Sequence, residues 1–211
     1  NMRELFIELW KFFIANLRAT YFGVFLLSLF LLTELVTIPG ISRYDFIFVC
    51  AVTYQIIALL FGFERIKEFF VIILFHILAT IMELFKTNPS IGSWMYPGLA
   101  TSLFVIGTVP LFTGFLYSAV GSYISRAFTF LNLSYKKFPS YKHVSLLAFL
   151  IYINFFTHHF TYDLRYILFG YTLTLFYRTK VYFRVHTKER VMPFLLTAFL
   201  TSLFIWIAEN I

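Results

Sequence analysis

The feature that most constrains this chain is a series of long apolar stretches, separated by charged and by Pro- or Gly-containing segments. An α-helix that crosses a bilayer needs about 20 largely apolar residues. Seven stretches of about this length can be delimited, at residues 19–38, 44–63, 67–86, 104–127, 143–161, 164–183 and 191–211. Only 13% of the residues are charged, whereas soluble domains average about 25%. The sequence therefore excludes a soluble domain and predicts an all-α, polytopic transmembrane helical bundle.

The first 18 residues differ from the rest because charged residues interrupt their apolar pattern. Their apolar side chains recur at helical spacing, at Leu5, Phe6, Leu9, Phe13 and Leu17. This pattern is typical of an amphipathic helix that lies in the membrane interface. We therefore predict an interfacial helix over residues 1–18 and a single transmembrane domain over residues 19–211.

The 17 Lys and Arg residues are divided very unevenly between the two sides of a seven-span bundle. One side receives fourteen of them, and the other receives only Arg43, Lys86 and Arg165. Basic residues accumulate in the cytoplasmic connections of membrane proteins. The N-terminus is therefore predicted in the cytoplasm and the C-terminus, after an odd number of spans, outside.

This asymmetry also accounts for the net charge of +7, because basic connections are attracted to anionic lipid at the cytoplasmic surface. Membrane lipid is the expected partner, with a lipid or other small molecule as a candidate ligand, and no nucleic-acid partner is needed.

Cys50 is the only cysteine, which excludes an internal disulfide and a thiolate metal cluster.

The ten acidic residues form two groups of five. One group mingles with the predicted cytoplasmic basic residues and is expected to be solvated: Glu4, Glu8, Glu64, Glu68 and Glu189. The other group lies within spans or at their outer ends: Glu34, Asp45, Glu83, Asp163 and Glu209. An ionisable side chain in hydrocarbon costs about 2.5–3.5 kcal/mol, so it faces the bundle interior and indicates function. A polar site is therefore predicted on the extracytoplasmic side.

Histidines and carboxylates come close together in two segments. In the third span, His76, Thr80 and Glu83 are spaced to share one helical face. Near the outer end of the fifth span lie Asn154, His158, His159 and Asp163. Imidazole and carboxylate groups bind metals or divide the acid and base roles of hydrolysis. The candidate catalytic residues are His76, Glu83, His158, His159 and Asp163.

A divalent metal such as zinc is a candidate cofactor, with His76, Glu83, His158 and Asp163 as ligands, although no established metal signature is present. The structural alternative is that His76 hydrogen-bonds Glu83 or a neighbouring helix, and that His158 and His159 face the interface. The candidate substrate-binding residues are Trp94, Tyr96, Tyr117, Asn154, Arg165 and Glu209.

Two of these features have structural alternatives of their own. Trp94 and Tyr96 lie in the loop NPSIGSWMYPG, where they either anchor at the membrane interface or cover the site. The fourth span carries a stripe of small residues, which is predicted to pack closely against another helix; its members are Gly114, Ser118, Gly121, Ser122 and Ser125.

Several multi-residue blocks carry a family resemblance. They are SRYDF, GFERIKEFFVIILFH, ELFK, GSWMYP, VPLFTGFLYSAVGSYI, NFFTHHFTYDLR and FIWIAEN. In this order they resemble the bacterial membrane-protein family called domain of unknown function 817, over about residues 39–211. The resemblance implies a bacterial inner-membrane protein whose relatives continue past the AEN block, and it implies no activity.

Three functions compete on these residues. The first is an intramembrane, lipid-directed, hydrolase-like enzyme with an extracytoplasmic site, which the mixture of histidines and carboxylates favours slightly. The second is a transporter or small-ligand-binding protein that uses the same polar groups for a cationic or proton-coupled ligand. A purely structural subunit, whose polar residues serve helix association, is the third.

Overall fold

The computed structural model describes the backbone of residues 2–209 and the side chains of residues 2–207. This part of the chain is mostly helical and divides into two compact units. The central unit comprises Phe13–Phe130, and the terminal unit combines the residues up to Phe12 with those from Leu131 onward.

Four helices lie wholly within the central unit: α2 (Tyr21–Leu35), α3 (Arg43–Leu60), α4 (Ile66–Thr87) and α5 (Thr113–Phe130). Pro39 and Gly40 separate α2 from α3, and Gly40 has φ of +84°, a conformation that suits glycine. The buried centre is formed by Phe22, Leu26, Ala51, Ile72 and Phe115. All four helices contribute to this centre, so they form one bundle.

Helices α4 and α5 approach each other closely along the small residues of α5. The Ser118 hydroxyl is fully buried and donates a hydrogen bond to the carbonyl of Ile72 at 2.8 Å. A Cβ atom added at Gly114 would lie 2.3 Å from Nδ1 of His76, and one at Gly121 would lie 2.7 Å from the Phe75 ring. The predicted packing role of the small-residue stripe is confirmed.

A short hairpin precedes α5, with strands β1 (Val105–Ile106) and β2 (Val109–Pro110). The carboxylate of Asp45, in the first turn of α3, accepts hydrogen bonds from the backbone N–H groups of Leu103 at 2.8 Å and Phe104 at 2.9 Å. Asp45 is buried. It therefore fastens the segment before the hairpin to the start of α3.

The terminal unit contains α6 (Tyr141–Thr157), α7 (Arg165–Phe176), α8 (Phe194–Glu209) and a three-stranded antiparallel sheet. The strands β3 (Ser134–Lys136), β4 (Lys180–Phe183) and β5 (Arg190–Pro193) are adjacent in that order. Tyr135 pairs with Val181, which pairs with Met192.

The first residues of helix α1 (Met2–Ala19) also belong to the terminal unit. Glu8 accepts a hydrogen bond from Nε of Arg190 at 2.8 Å, and Glu4 pairs with Lys188 at 3.4 Å. The start of α1 and the segment 188–190 thus lie together, and the charge distribution puts both on the same side of the membrane. Glu8 is nevertheless buried, so its prediction as a solvated residue is wrong: Arg190, remote in sequence, covers it.

Helix length supports fewer spans than the seven predicted. Among the described residues, α3 and α4 are each long and apolar enough to cross a bilayer alone, and α1 with α2 would make a third span across their 70° bend. Helices α6, α7 and α8 have only 17, 12 and 16 residues, fewer than the usual 20 or so. The two small sheets also correct the all-α prediction, because they take up residues at the ends of the fourth, sixth and seventh stretches.

Helix α4 exposes large apolar side chains on one face and buries polar side chains near its C-terminal end. Large apolar side chains are exposed at helical spacing, at Phe70, Leu74, Ile77 and Ile81. Polar side chains are buried in the last two turns, at Thr80, Glu83, Lys86 and Thr87. In water the burial of apolar surface drives folding. This inverted arrangement therefore fits a helix whose outer face contacts lipid.

Candidate functional site

The carboxylate of Glu83 is the centre of the polar cluster at the C-terminal end of α4. Its Oε2 accepts hydrogen bonds from Nε1 of Trp94 at 2.9 Å and from the hydroxyl of Tyr96 at 2.6 Å. Its Oε1 accepts a hydrogen bond from the hydroxyl of Tyr117 at 2.8 Å. Glu83 is only 3% exposed. Three aromatic donors thus fix a buried carboxylate, which we call the Glu83 cluster (Glu83, Trp94, Tyr96 and Tyr117).

Local sequence explains why Trp94 and Tyr96 reach Glu83. Helix α4 ends at Thr87, and the Asn88 side chain accepts a hydrogen bond from the Ser90 N–H at 2.9 Å, which turns the chain. Ser93 then donates its N–H to the carbonyl of Lys86 at 3.0 Å. The loop therefore folds back against the end of α4, with its aromatic side chains beside the carboxylate.

Aromatic packing holds Tyr96 in this position. Its ring contacts those of Tyr44 and Phe112 edge to face, with centroids 6.1 Å and 6.4 Å apart. Tyr44 also donates its hydroxyl to the carbonyl of Pro97 at 2.9 Å. Burial raises the pKa of Tyr96, and its hydrogen bond to the Glu83 carboxylate raises it further. Tyr96 therefore stays a neutral donor at physiological pH.

His76 lies on the same helix as Glu83 but has a separate environment. Seven residues separate the two, which is about 10 Å along the helix axis. The His76 ring packs against Phe115 with centroids 4.5 Å apart, and its Nδ1 is buried without a hydrogen-bond partner. Thr80 donates its hydroxyl to the His76 carbonyl at 2.7 Å. The predicted shared face is present, but His76 serves the contact with α5.

The second predicted group surrounds the C-terminal end of α6. Asn154 is its centre: its side-chain nitrogen donates to Asp163 at 3.2 Å, and its side-chain oxygen accepts from the Leu164 N–H at 2.9 Å. Nδ1 of His158 lies 2.8 Å from the Asn154 carbonyl. The rings of His158 and His159 have centroids 4.0 Å apart. This arrangement closes the turn between α6 and α7.

Asp163 has a further partner in Arg165. Nε of Arg165 donates to the carboxylate at 2.5 Å, and its backbone N–H donates at 2.9 Å. These contacts lower the pKa of Asp163, with the backbone hydrogen bond as the largest cause. Asp163 is therefore an ionised carboxylate in the α6–α7 turn.

The structure groups the predicted site residues in two sets. His76, Glu83, Trp94, Tyr96 and Tyr117 belong to the central unit, whereas Asn154, His158, His159, Asp163 and Arg165 belong to the terminal unit. Within either unit as described, no three His, Cys, Asp or Glu side chains form a group that could hold a metal ion. The side chain of Glu209 lies outside the described residues. A centre shared by the two sets stays a prediction.

Sequence reasoning missed a polar pair at the opposite end of the central unit. Glu64, predicted to be solvated, is only 3% exposed, and it pairs with the equally buried Arg126 at 3.5 Å. The prediction of a solvated Glu64 is wrong because it relied on neighbours in sequence, Arg65, Lys67 and Glu68. Arg126 comes from α5, which is remote in sequence.

Comparison with known proteins identifies the family. The family model described as "Protein of unknown function (DUF817)" matches residues 8–211, a longer match than the resemblance over residues 39–211 implied. The protein named "Uncharacterized protein YoaT" of Bacillus subtilis (strain 168) is 40% identical over 180 residues, which is 85% of this chain and 67% of the relative. No solved structure matches the chain. The chain therefore belongs to the DUF817 family.

Proposed function

We propose that this protein is a multi-pass protein of the bacterial plasma membrane that binds a small organic cation at Glu83. The single observation that carries the proposal is the Glu83 cluster, in which a buried carboxylate at the end of a candidate span is held by three aromatic side chains. Two of the donors come from the loop after α4, which therefore covers the carboxylate.

The chemistry of this cluster suits an ammonium-type ligand. A carboxylate attracts a cation by charge, and the faces of Trp and Tyr rings attract it through their quadrupoles. The three donors are neutral groups, so they orient the Glu83 carboxylate without cancelling its charge. Release of Trp94 and Tyr96 would free two acceptor positions on Oε2. We therefore regard the described arrangement as the closed state of the site.

The membrane orientation belongs to the same proposal. The exposed apolar face of α4 and the length and apolar content of α3 and α4 support a place in the bilayer. The fourteen-to-three division of basic residues supports a cytoplasmic N-terminus and an extracytoplasmic Glu83 cluster. A seven-span count remains a prediction of the apolar stretches and of the uneven distribution of basic residues.

The lipid-directed hydrolase is the second candidate. Its support is the contact network of His158, Asn154 and Asp163, which combines an imidazole with a carboxylate. The Glu83 cluster supports it less well, because both Glu83 oxygens already accept hydrogen bonds and His76 lies about two helical turns away. We therefore rank cation binding first.

Binding to the purified protein tests the proposal. Tetramethylammonium, ethanolamine and putrescine are titrated against the detergent-solubilised full chain, and binding heat and thermal stabilisation are recorded. We expect at least one cation to bind the native protein, and Glu83→Gln to weaken that binding by about tenfold or more, because a contact with a buried charge contributes about 1.5 kcal/mol or more and about 1.4 kcal/mol is a factor of ten in affinity. The matched control is Glu34→Gln, an exposed carboxylate that pairs with Arg43.

Two results would contradict cation binding: no member of the panel binds, or Glu83→Gln binds as tightly as the native protein. The same preparation in phospholipid vesicles also tests the hydrolase. Release of fatty acid that His158→Ala abolishes would establish the second candidate instead.

A further inference from the structure

A buried ion pair lies at the end of the central unit opposite to the Glu83 cluster. The side chains of Glu64, just before α4, and Arg126, near the end of α5, are 0% and 6% exposed. Their closest charged atoms, Oε1 and Nη1, are 3.5 Å apart, longer than the 2.7–2.9 Å of a charge-assisted hydrogen bond. The pair is therefore a charge contact without a hydrogen bond.

Both partners retain unused hydrogen-bonding capacity. Nε and Nη1 of Arg126 and both carboxylate oxygens of Glu64 are buried without a hydrogen-bond partner. The Arg126 guanidinium lies against the rings of Tyr21 and Phe130, 5.7 Å and 5.6 Å from their centroids. Leaving a buried charged group without hydrogen-bond partners is costly. A native structure normally satisfies such groups with water, an ion or a ligand.

A cavity of about 190 Å³ lies beside Arg126. A single water needs only about 10–15 Å³ on this measure, so the cavity has room for a larger group. Its walls include Phe63, Arg65, Glu68, Arg126, Thr129 and Phe130. The two guanidinium groups outnumber the single carboxylate of Glu68, and Glu68 already accepts the Arg65 backbone N–H at 2.9 Å.

We propose that this cavity binds a phosphate-bearing anion, with Arg126 as its principal ligand and Arg65 and Thr129 as further contacts. A guanidinium group matches the geometry of phosphate oxygens and prefers them to water. The positive end of the α4 dipole adds to this attraction, because α4 begins at Ile66, next to Arg65. The rings of Phe63 and Phe130 supply the apolar part of the cavity wall beside Arg126.

The position of Glu64 is compatible with an anion in the cavity. Glu64 is not among the residues that line it. Burial raises the pKa of Glu64 to about 7, an effect that Glu68 adds to and Arg126 opposes. Near neutral pH part of the Glu64 population is therefore uncharged, which leaves the Arg126 charge available to a bound anion.

This site differs from the Glu83 cluster in position and in charge preference. Residues 65 and 83 are separated by about 27 Å along α4. The charge pattern predicts that this end faces the cytoplasm. The phosphate group then has two sources, a free anion in the cytoplasm or the headgroup of an anionic lipid in the inner leaflet.

Binding measurements on the full chain test the proposal and distinguish the two sources. Inorganic phosphate is titrated against the detergent-solubilised protein, with thermal stabilisation as the readout. In parallel, retention of phosphatidylglycerol against phosphatidylcholine is measured by native mass spectrometry. We expect one of the two phosphate sources to bind, and Arg65→Gln and Thr129→Val each to weaken that binding by severalfold.

Arg126→Gln alone leaves Glu64 buried without a counter-charge, so the double variant Glu64→Gln/Arg126→Gln replaces it as the main test. This variant removes both charges at once, so neither partner is left as an uncompensated buried charge, and we expect it to weaken binding by about tenfold or more. Lys67→Gln is the control, since it removes a neighbouring positive charge outside the cavity walls. Absence of binding by either source, or binding that Lys67→Gln weakens as much as the double variant does, would overturn the proposal.

Discussion

Nε1 of Trp94 donates a hydrogen bond to the carboxylate of Glu83 at 2.9 Å, although eleven residues separate the two. Because Tyr96 donates to the same oxygen, the loop after α4 is held to the helix by its side chains as well as by its backbone. The position of this loop therefore depends on whether Glu83 is charged and on whether a ligand contacts its carboxylate. A loop fixed only by its backbone would have no such dependence.

Replacement of Tyr96 by Phe is expected to destabilise the central unit. The substitution removes a 2.6 Å hydrogen bond to a buried carboxylate and keeps the ring packing. Hydrogen bonds to charged groups contribute about 1.5–3 kcal/mol, so we expect a lower midpoint of thermal unfolding in detergent. Tyr162→Phe is the matched control, because Tyr162 is 89% exposed. Equal midpoints for the two variants would show that the Tyr96 hydroxyl contributes nothing.

Gly114→Ala is expected to disrupt the contact between α4 and α5. The added methyl group would lie 2.3 Å from Nδ1 and 2.8 Å from the carbonyl oxygen of His76. Overpacking of this kind costs about 1–3 kcal/mol. Thermal unfolding measures the loss, and His76→Ala in the same chain should restore only part of it, because the clash with the backbone remains.

The control for this experiment is Gly170→Ala in α7. A Cβ atom at Gly170 would meet no atom within 4 Å, and alanine is favoured over glycine inside a helix by about 0.5–1 kcal/mol. We expect this variant to be as stable as the native protein or slightly more so. A Gly114→Ala protein with the same midpoint would refute the close approach of the two helices.

The stability of the protein is expected to fall as the pH rises from about 5 to about 8. Burial raises the pKa of Glu64 from 4.5 to about 7, so the folded state binds the Glu64 proton more tightly than the unfolded state does. The stabilising effect of this proton is complete below the unfolded pKa and is lost as the pH rises through about 7. Unfolding midpoints at a series of pH values measure the trend.

Glu64→Gln isolates this contribution, because the amide does not ionise. We expect the variant to lose most of the pH dependence between 5 and 8, whereas Glu68→Gln should keep it. An identical slope for the native protein and Glu64→Gln would assign the dependence to other groups.

Chemical labelling tests the predicted orientation. In a Cys50→Ala background, single cysteines at Ser90 and Thr187 place one thiol beside the Glu83 cluster and one in the exposed β4–β5 connection. A membrane-impermeant maleimide should label position 90 in intact cells and position 187 only after lysis. The opposite pattern would reverse the orientation, and labelling of both positions in intact cells would contradict the alternating connections.

Local patterns predicted the elements that depend on neighbours in sequence. The third stretch, 67–86, is helix α4 almost to the residue, because helical spacing and apolar content are local properties. The loop with Trp94 and Tyr96 was predicted from its Pro and Gly residues, and covering a polar site was one of its two predicted roles. Tyr117 was predicted as a candidate substrate-binding residue, and the structure shows that its hydroxyl donates to Glu83.

Pairing between distant segments could not be predicted in the same way. Strand β3 at 134–136 pairs with β4 at 180–183, and neither segment is long enough to carry a recognisable alternation. The burial of Glu64 depends on Arg126, whose proximity follows from the antiparallel packing of α4 and α5. The density of charges around residue 64 indicated a solvated segment, because composition cannot show which side chains tertiary contacts remove from water.

The close contact between Gly114 of α5 and His76 of α4 limits how the two helices can move. A methyl group at Gly114 would collide with His76, so shear between the two helices is disfavoured and we expect α4 and α5 to move as one body. Access to Glu83 would then require the loop after α4 to swing on its glycine hinges, at Gly92 and Gly98, which both have positive φ. The segment that moves to open the site and the helices that hold Glu83 would then be different parts of the chain.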